Sequence, residues 1–309
     1  MNQRLTWPAA ALAFGLAACA QYGGPSPMQP GSGTSLVDTS QRGELLYVSD
    51  TNNGVVRIYT YPQLTVVGAL RVRDPEGICV DDRARTIWVV STVYSEIVEF
   101  ARGGTAPIKT LKDGTEYPDA CAVDPASGDL AVANYNDQGT DPGSISIYRK
   151  SEGKAQLYSD FTKIYYVAFL TYDSKGNLFA DGAGLTHPHF RLVELPRGAS
   201  AFKEIRLTGA RIESPGGLVY DKGGLAIGDQ KRSVIFQAAH GKIVGHTPLG
   251  GACYVNQFVV TDGHVIVGNT CGPVNNPVGS ALIYDYPRGG APIQELTGFA
   301  VAWGIAIGR

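Results

Sequence analysis

An all-β ring of small antiparallel sheets is what this sequence predicts, and three observations carry the prediction. The stretch LLYVSDTNNGVVRIY (Leu45 to Tyr59) reads as strand, tight polar turn, strand, with Asp50 to Gly54 reversing the chain before β-branched Val55, Val56 and Ile58. An apolar strand ending in aspartate, a short turn and a second apolar strand then recur five times. The copies are GICVDDRARTIWVVS, ACAVDPASGDLAVAN, LTYDSKGNLFAD, LVYDKGGLAIGD and FVVTDGHVIVGN. Their aspartates, Asp81, Asp124, Asp173, Asp221 and Asp262, are spaced 43, 49, 48 and 41 residues apart, the length of a four-stranded propeller blade. Helical repeats of that length would need long 3.6-periodic stretches, and the sequence has none. Finally, the two ends complement each other. Ala302 to Gly308 reads as a first strand without followers, whereas Leu45 to Leu70 supplies second, third and fourth strands without a first. Joined, they make one composite blade, so the prediction is a six-bladed β-propeller over residues 44–309 with no free sheet edge at the seam.

Third strands follow each copy at Ile97 to Phe100, Ser144 to Tyr148, Arg191 to Leu195, Val234 to Phe236 and Ala281 to Tyr284. A turn and a short outer strand come next, and Arg102-Gly103, Arg197-Gly198 and Arg288-Gly289 read as turn chemistry at the blade rim. With 39 Gly and 18 Pro the chain is rich in turns. Its net charge of -2 and pI near 6.2 provide no broad basic field, which argues against nucleic acid as a partner.

Residues 1–18 read as a signal peptide: Arg4 gives a positive start, and Pro8 to Ala18 is an apolar run too short to span a bilayer. Leu16-Ala17-Ala18-Cys19 resembles the bacterial lipobox, which implies that Cys19 is lipidated and becomes the first residue of the mature protein. Acyl chains contribute about 0.8 kcal/mol per buried methylene, enough for several on one cysteine to hold a protein on a membrane. Ala20 in place of aspartate implies, by resemblance to enterobacterial lipoproteins, outer-membrane sorting within the cell envelope. Residues 19–43, rich in Gly, Pro and Ser, read as a flexible tether with an end-to-end distance of roughly 25–30 Å.

The run Tyr47 to Tyr59, with an aspartate closing one strand and Arg57-Ile58 in the next, resembles the NHL-repeat signature. As architecture the whole of 44–309 resembles NHL-like and TolB-like six-bladed propellers. The set ICVD, YPDACAVDP, GNLFADG, SPGGLVYD and AIGDQ is similar to uncharacterised bacterial propeller lipoproteins, a group that implies no activity.

In a propeller the second-to-third and fourth-to-first connections share one face around the central channel. Three second-to-third connections are long here, at 134–143, 181–190 and 269–279, so that face is the elaborated one and the place for a ligand. Alignment on the turn aspartates puts Glu76, Asp119, Ala168, Gly216, Gln257 and Trp303 at equivalent openings of the channel-lining strands. Glu76 and Asp119, with Tyr117, Tyr135 and Trp303 near them, could hold a cation or polar ligand; the bland alternative is a solvated channel mouth. A second ring, Asp50, Ser91, Asn134, Asp181, Asp229 and Asn269, ends the second strands, where short oxygen-bearing side chains are expected to accept backbone N–H bonds from the following loop. The expectation is therefore a membrane-anchored binding or scaffolding module, with a protein or an envelope glycan as partner and no cofactor. An alternative is a lactonase- or esterase-like hydrolase: gluconolactonase-like propellers use Glu, Asn and Asp for one divalent metal such as calcium, and Glu76, Asn134 and Asp229 match by type. The pair His187 and His189, separated by Pro188, reads as loop structure.

Four further cysteines would sit in an oxidising compartment after export. A three-residue turn at Thr261 to Gly263 would set Cys253 opposite Cys271, whereas a two-residue Asp262-Gly263 turn would put them on opposite faces. Cys79 and Cys121 have opposite parity relative to their turn aspartates, as a bridge between facing blades requires. For the anchor, Cys19→Ser should abolish incorporation of a fatty-acyl label and release the protein from membranes; label retained by that variant would refute lipidation.

Overall fold

The computed structural model describes residues 43–114, 116–137, 141–159, 164–184 and 189–309. The signal peptide, Cys19, the tether up to residue 42 and His187 lie outside these residues. Six four-stranded antiparallel sheets stand around one axis. Blade I combines β24 (Ala302–Gly308), innermost, with β1 (Glu44–Asp50), β2 (Val55–Tyr61) and β3 (Val66–Arg71). Blade II runs outward as β4 (Pro75–Asp81), β5 (Thr86–Ser91), β6 (Glu96–Ala101) and β7 (Pro107–Lys112). In blade III the strands are β8 (Pro118–Val123), β9 (Leu130–Asp137), β10 (Asp141–Tyr148) and β11 (Gln156–Tyr158). Blade IV holds β12 (Tyr166–Tyr172), β13 (Leu178–Ala183), β14 (Phe190–Leu195) and β15 (Lys203–Ile205). Blades V and VI are β16 (Pro215–Asp221) to β19 (Lys242–Pro248), through β17 (Gly224–Asp229) and β18 (Val234–Ala239), and β20 (Val255–Thr261) to β23 (Gln294–Phe299), through β21 (His264–Cys271) and β22 (Val278–Asp285). The composite blade closes as the ends require, with Leu45 paired to Gly308 and Tyr47 to Ala306.

Alternation within each strand feeds two cores at once. Leu45 and Tyr47 pack with Ile78, Ile87 and Phe100 of blade II, whereas Leu46 and Val48 pack with Ile266, Ile283 and Phe299 of blade VI. Every sheet is thus apolar on both faces, and each fully buried aliphatic or aromatic side chain contributes about 1.5–3 kcal/mol. The turn aspartates close their own turns. Asp81 accepts the N–H groups of Arg83 and Ala84 at 2.9 Å, and Asp173 those of Lys175 and Asn177 at 2.9 and 2.8 Å. That chemistry is why the period is visible in the sequence.

Two expectations are corrected in detail. The long connections are in good part continued ladders: Asn136 pairs with Pro142, Ala183 with Phe190 and Cys271 with Val278, because backbone pairing persists where the side chains turn polar. The hairpin of blade VI has a two-residue turn, with Thr261 opposite His264. Cys253 and Cys271 are nevertheless joined, at a Cα separation of 5.2 Å, because a bulge between Val255 and Phe258 shifts the register by one residue and restores the parity the short turn removes. Cys79 and Cys121 are joined across blades II and III at 5.6 Å.

That bulge is a feature of all six blades. The innermost strands β4, β8, β12, β16, β20 and β24 each shift register near the channel mouth. Backbones of neighbouring blades approach closely there. A Cβ on Gly304 would stand 2.2 Å from the Glu76 carbonyl oxygen, and one on Gly77 would stand 2.6 Å from the Asp119 carbonyl oxygen. Gly304→Ala should therefore lower unfolding free energy by about 1–3 kcal/mol through overpacking. The same change at Gly43, where a Cβ meets nothing within 4 Å, should be neutral by denaturant titration.

Candidate functional site

The second-to-third and fourth-to-first connections form the upper face, and the first-to-second and third-to-fourth turns form the lower one. The six channel positions aligned in the sequence all fall in the inner-strand bulges, which aim their side chains at the mouth. They do not form one ring of equivalent groups. Ala168 and Gly216 present no polar side chain. Gln257 is committed to structure: its Oε1 accepts the Ile78 N–H at 2.9 Å and its Nε2 donates to the Ile78 carbonyl at 2.5 Å. It thereby supplies the free inner edge of β4 with the partner that a strand would have given. Trp303 of blade I lies against Phe169 of blade IV, ring centroids 6.3 Å apart, and its indole N–H has no partner.

Glu76 and Asp119 do come together. They arrive on adjacent blades whose inner strands are joined by the Cys79–Cys121 bridge a few residues below, and their carboxyls share a hydrogen bond. Burial, followed by the charge on Asp119, holds Glu76 well above the usual carboxylate range; burial raises Asp119 to about 6, against the opposing effect of its bond to Glu76. Such a pair holds a proton that two solvated carboxylates would release. Burial also raises Asp74 and Asp181, and neither these nor Glu76 and Asp119 form an ion pair among the described residues.

Tyrosines rim this cluster. Burial first, then the charges on Glu76, Asp74 and Asp119, raise Tyr117 to about 12; burial and Asp119 do the same for Tyr135. Tyr135 stacks on Tyr166 at 4.8 Å, and Tyr165 meets Tyr166 edge-on at 4.8 Å. Tyr94, Tyr135 and Tyr254 are 41%, 37% and 52% exposed on the same face, with the Arg73 guanidinium 3.6 Å above the Tyr94 ring.

The second ring is structural, with one change from expectation. Its members mainly tie down the connector that precedes the inner strand of their own blade rather than the loop that follows. Asp50 accepts the N–H of Ala300 at 3.0 Å, Asp229 that of Glu213 at 2.8 Å and Asn269 that of Cys253 at 2.8 Å, while the Ser91 hydroxyl donates to the Arg73 carbonyl at 2.5 Å. Asp229 also accepts the Lys231 N–H at 3.1 Å, and the Asn134 amide donates to Ser144 and Ser146 at 2.9 and 3.1 Å. The alternative metal set does not fit as a shared centre: the Asp229 oxygens accept backbone N–H groups, and although the Asn134 amide oxygen has no partner, no group of three acidic, His or Cys side chains suited to a metal occurs among the described residues. His189 Nδ1 lies 3.0 Å from the Arg211 guanidinium. Residues that sequence reasoning missed at the mouth are Asp74, Thr92 and Tyr166. Only the Asp74-Pro75-Glu76 run hinted at the first.

No protein-family model matches the chain, and no curated protein matches it. Among solved structures, a chain from the crystal structure of a nidogen/laminin complex is similar over 86% of this chain and 99% of its own, with 13% identity and a TM-score of 0.70. A protein of unknown function from Bacteroides caccae is similar over the same shares, with 12% identity and a TM-score of 0.60. Kuenenia stuttgartiensis hydrazine synthase is similar over 73% of this chain and 77% of its own, with 12% identity and a TM-score of 0.58. At these identities the likeness establishes the fold alone.

The shared proton has a measurable consequence. A carboxyl whose folded pKa is raised favours the folded state below its unfolded pKa, and that contribution is lost as pH rises through the folded value. For Asp119 the window runs from 3.8 to about 6. Glu76→Gln should therefore stabilise the protein at neutral pH by about 1–3 kcal/mol, with little gain near pH 4; equal gains at both would show that the dyad is not strained. On these physical grounds the chain is a six-bladed β-propeller with an acidic, tyrosine-rimmed upper mouth.

Proposed function

We propose that this chain is an extracytoplasmic binding module, held on a membrane of the bacterial envelope through Cys19, that engages a protein or glycan partner with its upper face. The observation that carries the reading is the contrast between the faces. Lower-face Asp81, Asp124 and Asp173 are spent closing their own turns, whereas the upper face keeps exposed Tyr94, Tyr135 and Tyr254 beside carboxyls with no cationic partner among the described residues. Aromatic side chains that are part apolar and part polar, clustered beside polar groups, are what recognition surfaces use.

The point of attachment supports the same orientation. Gly43 lies at the lower face, where the Arg102 guanidinium donates to its carbonyl, and β1 climbs from Glu44 to Asp50 at the upper face. A tether leaving there would turn the elaborated face away from the membrane. The NHL-like run at Tyr47 to Tyr59 supports a family-level reading of the same kind, and the nidogen/laminin neighbour comes from a protein–protein complex. Site-specific photo-cross-linkers in intact cells test the proposal. Adducts of discrete mass are expected from positions 94 and 254; adducts arising only from Lys222 or Ser127 on the lower face would overturn it.

A further inference from the structure

We infer that the upper channel mouth between blades II and III binds an organic ammonium group, cradled by Glu76 and Asp119 with Asp74 beside them and faced by Tyr117 and Tyr135. The inference rests on the binding-module reading above and gives it a ligand chemistry.

Two carboxyls meet there, Glu76 of β4 and Asp119 of β8, and Glu76 also feels the charge on Asp74 in the connector before β4. Elsewhere in the described residues carboxylates find cations, as in Asp50 with Arg57 at 3.1 Å and Asp129 with Arg149 at 2.8 Å. At the mouth none does. The cluster also carries an unspent polar atom on a buried side chain. The Thr92 backbone N–H donates to the Asp74 carbonyl at 3.3 Å, which fixes the residue over the cluster. Its hydroxyl, on a side chain 1% exposed, is aimed at Glu76 but stops short of a well-formed bond to any atom. A buried acceptor left open is costly unless something donates to it.

An alkylammonium fits this inventory. It brings three donors and no acceptor, which suits carboxylates and a hydroxyl, and its charge and methylenes suit tyrosine faces. A divalent metal fits less well, since it would require both carboxyls of the dyad to ionise, and no group of three acidic, His or Cys side chains suited to a metal occurs among the described residues. The ammonium could be carried by a free diamine or by a lysine side chain.

Calorimetric titration of the folded, disulfide-bonded protein with cadaverine, with Nα-acetyl-lysine amide and, as uncharged control, with 1-pentanol tests the inference. Both amines should bind saturably near pH 7.5 while pentanol does not; cadaverine alone would assign the site to free diamines. Binding should release a proton, seen as a heat that changes with buffer ionisation enthalpy, and should weaken about tenfold or more near pH 5 as the dyad fills. Asp74 adds to that acid loss, whereas Tyr117 and Tyr135 titrate too high to contribute. Glu76→Gln with Asp119→Asn should abolish binding while the protein stays folded by circular dichroism, and Asp82→Asn on the lower face should leave it unchanged. Absence of amine binding, amine binding that survives the double substitution, or saturable calcium binding in its place would each overturn the inference. If amine binding fails while cross-linking at positions 94 and 254 persists, the binding-module reading stands without this ligand.

Discussion

Six inner strands crowd one axis, and the rest of the molecule is arranged to make that crowding tolerable. Each inner strand has an edge with no strand beside it, and its backbone groups must be satisfied in a space that neighbouring backbones nearly fill. Side chains do part of this: from other blades, Gln257 serves Ile78 and the Asn256 amide donates to the Ala302 carbonyl at 3.0 Å, and within blade I the Ser49 hydroxyl accepts the Gly304 N–H at 2.6 Å. The bulges do the remainder, bending each strand as it reaches the mouth so that the backbone can pass its neighbour and the next side chain is turned inward. Glu76 and Asp119 meet because both sit in such bulges, on blades held together by a disulfide.

The ring could be read from the sequence because its determinants are local. An aspartate at the first turn recurs in five of the six blades, and alternating apolar residues mark sheets buried on both faces, so period, blade count and the composite blade all follow from neighbours in the chain. The bulges could not, since they arise from the approach of strands distant in sequence. Hence the parity of Cys253 and Cys271 stayed open until the register was seen. The mouth was half legible for the same reason. Glu76 and Asp119 emerged from blade alignment, and Asp181 accepts backbone N–H bonds as a member of the strand-ending ring should, but Asp74 was passed over, because its place beside Glu76 depends on how far each blade leans towards its neighbour. Gln257 shows the reverse error: a channel position read as ligand-facing whose amide is wholly engaged by backbone.

The two faces treat negative charge differently. On the lower face Asp81 and Asp173 lower the free energy of the fold by each accepting two backbone N–H groups of their own turns. On the upper face buried carboxyls of like charge lie together, a source of instability that packing alone does not explain. Proteins retain such local conflicts where a surface has work beyond folding.

The seam in blade I bears on how the molecule is made. β24 follows every other strand of the ring in sequence and so leaves the ribosome after them, yet it supplies the innermost layer of the first blade. Until it arrives, β1 presents an unpaired edge to its surroundings while the other five blades can form as local meanders. The growing chain therefore carries an adhesive strand for nearly the whole of its synthesis, and a premature stop close to the end would leave an almost complete protein able to pair with another copy instead of with itself.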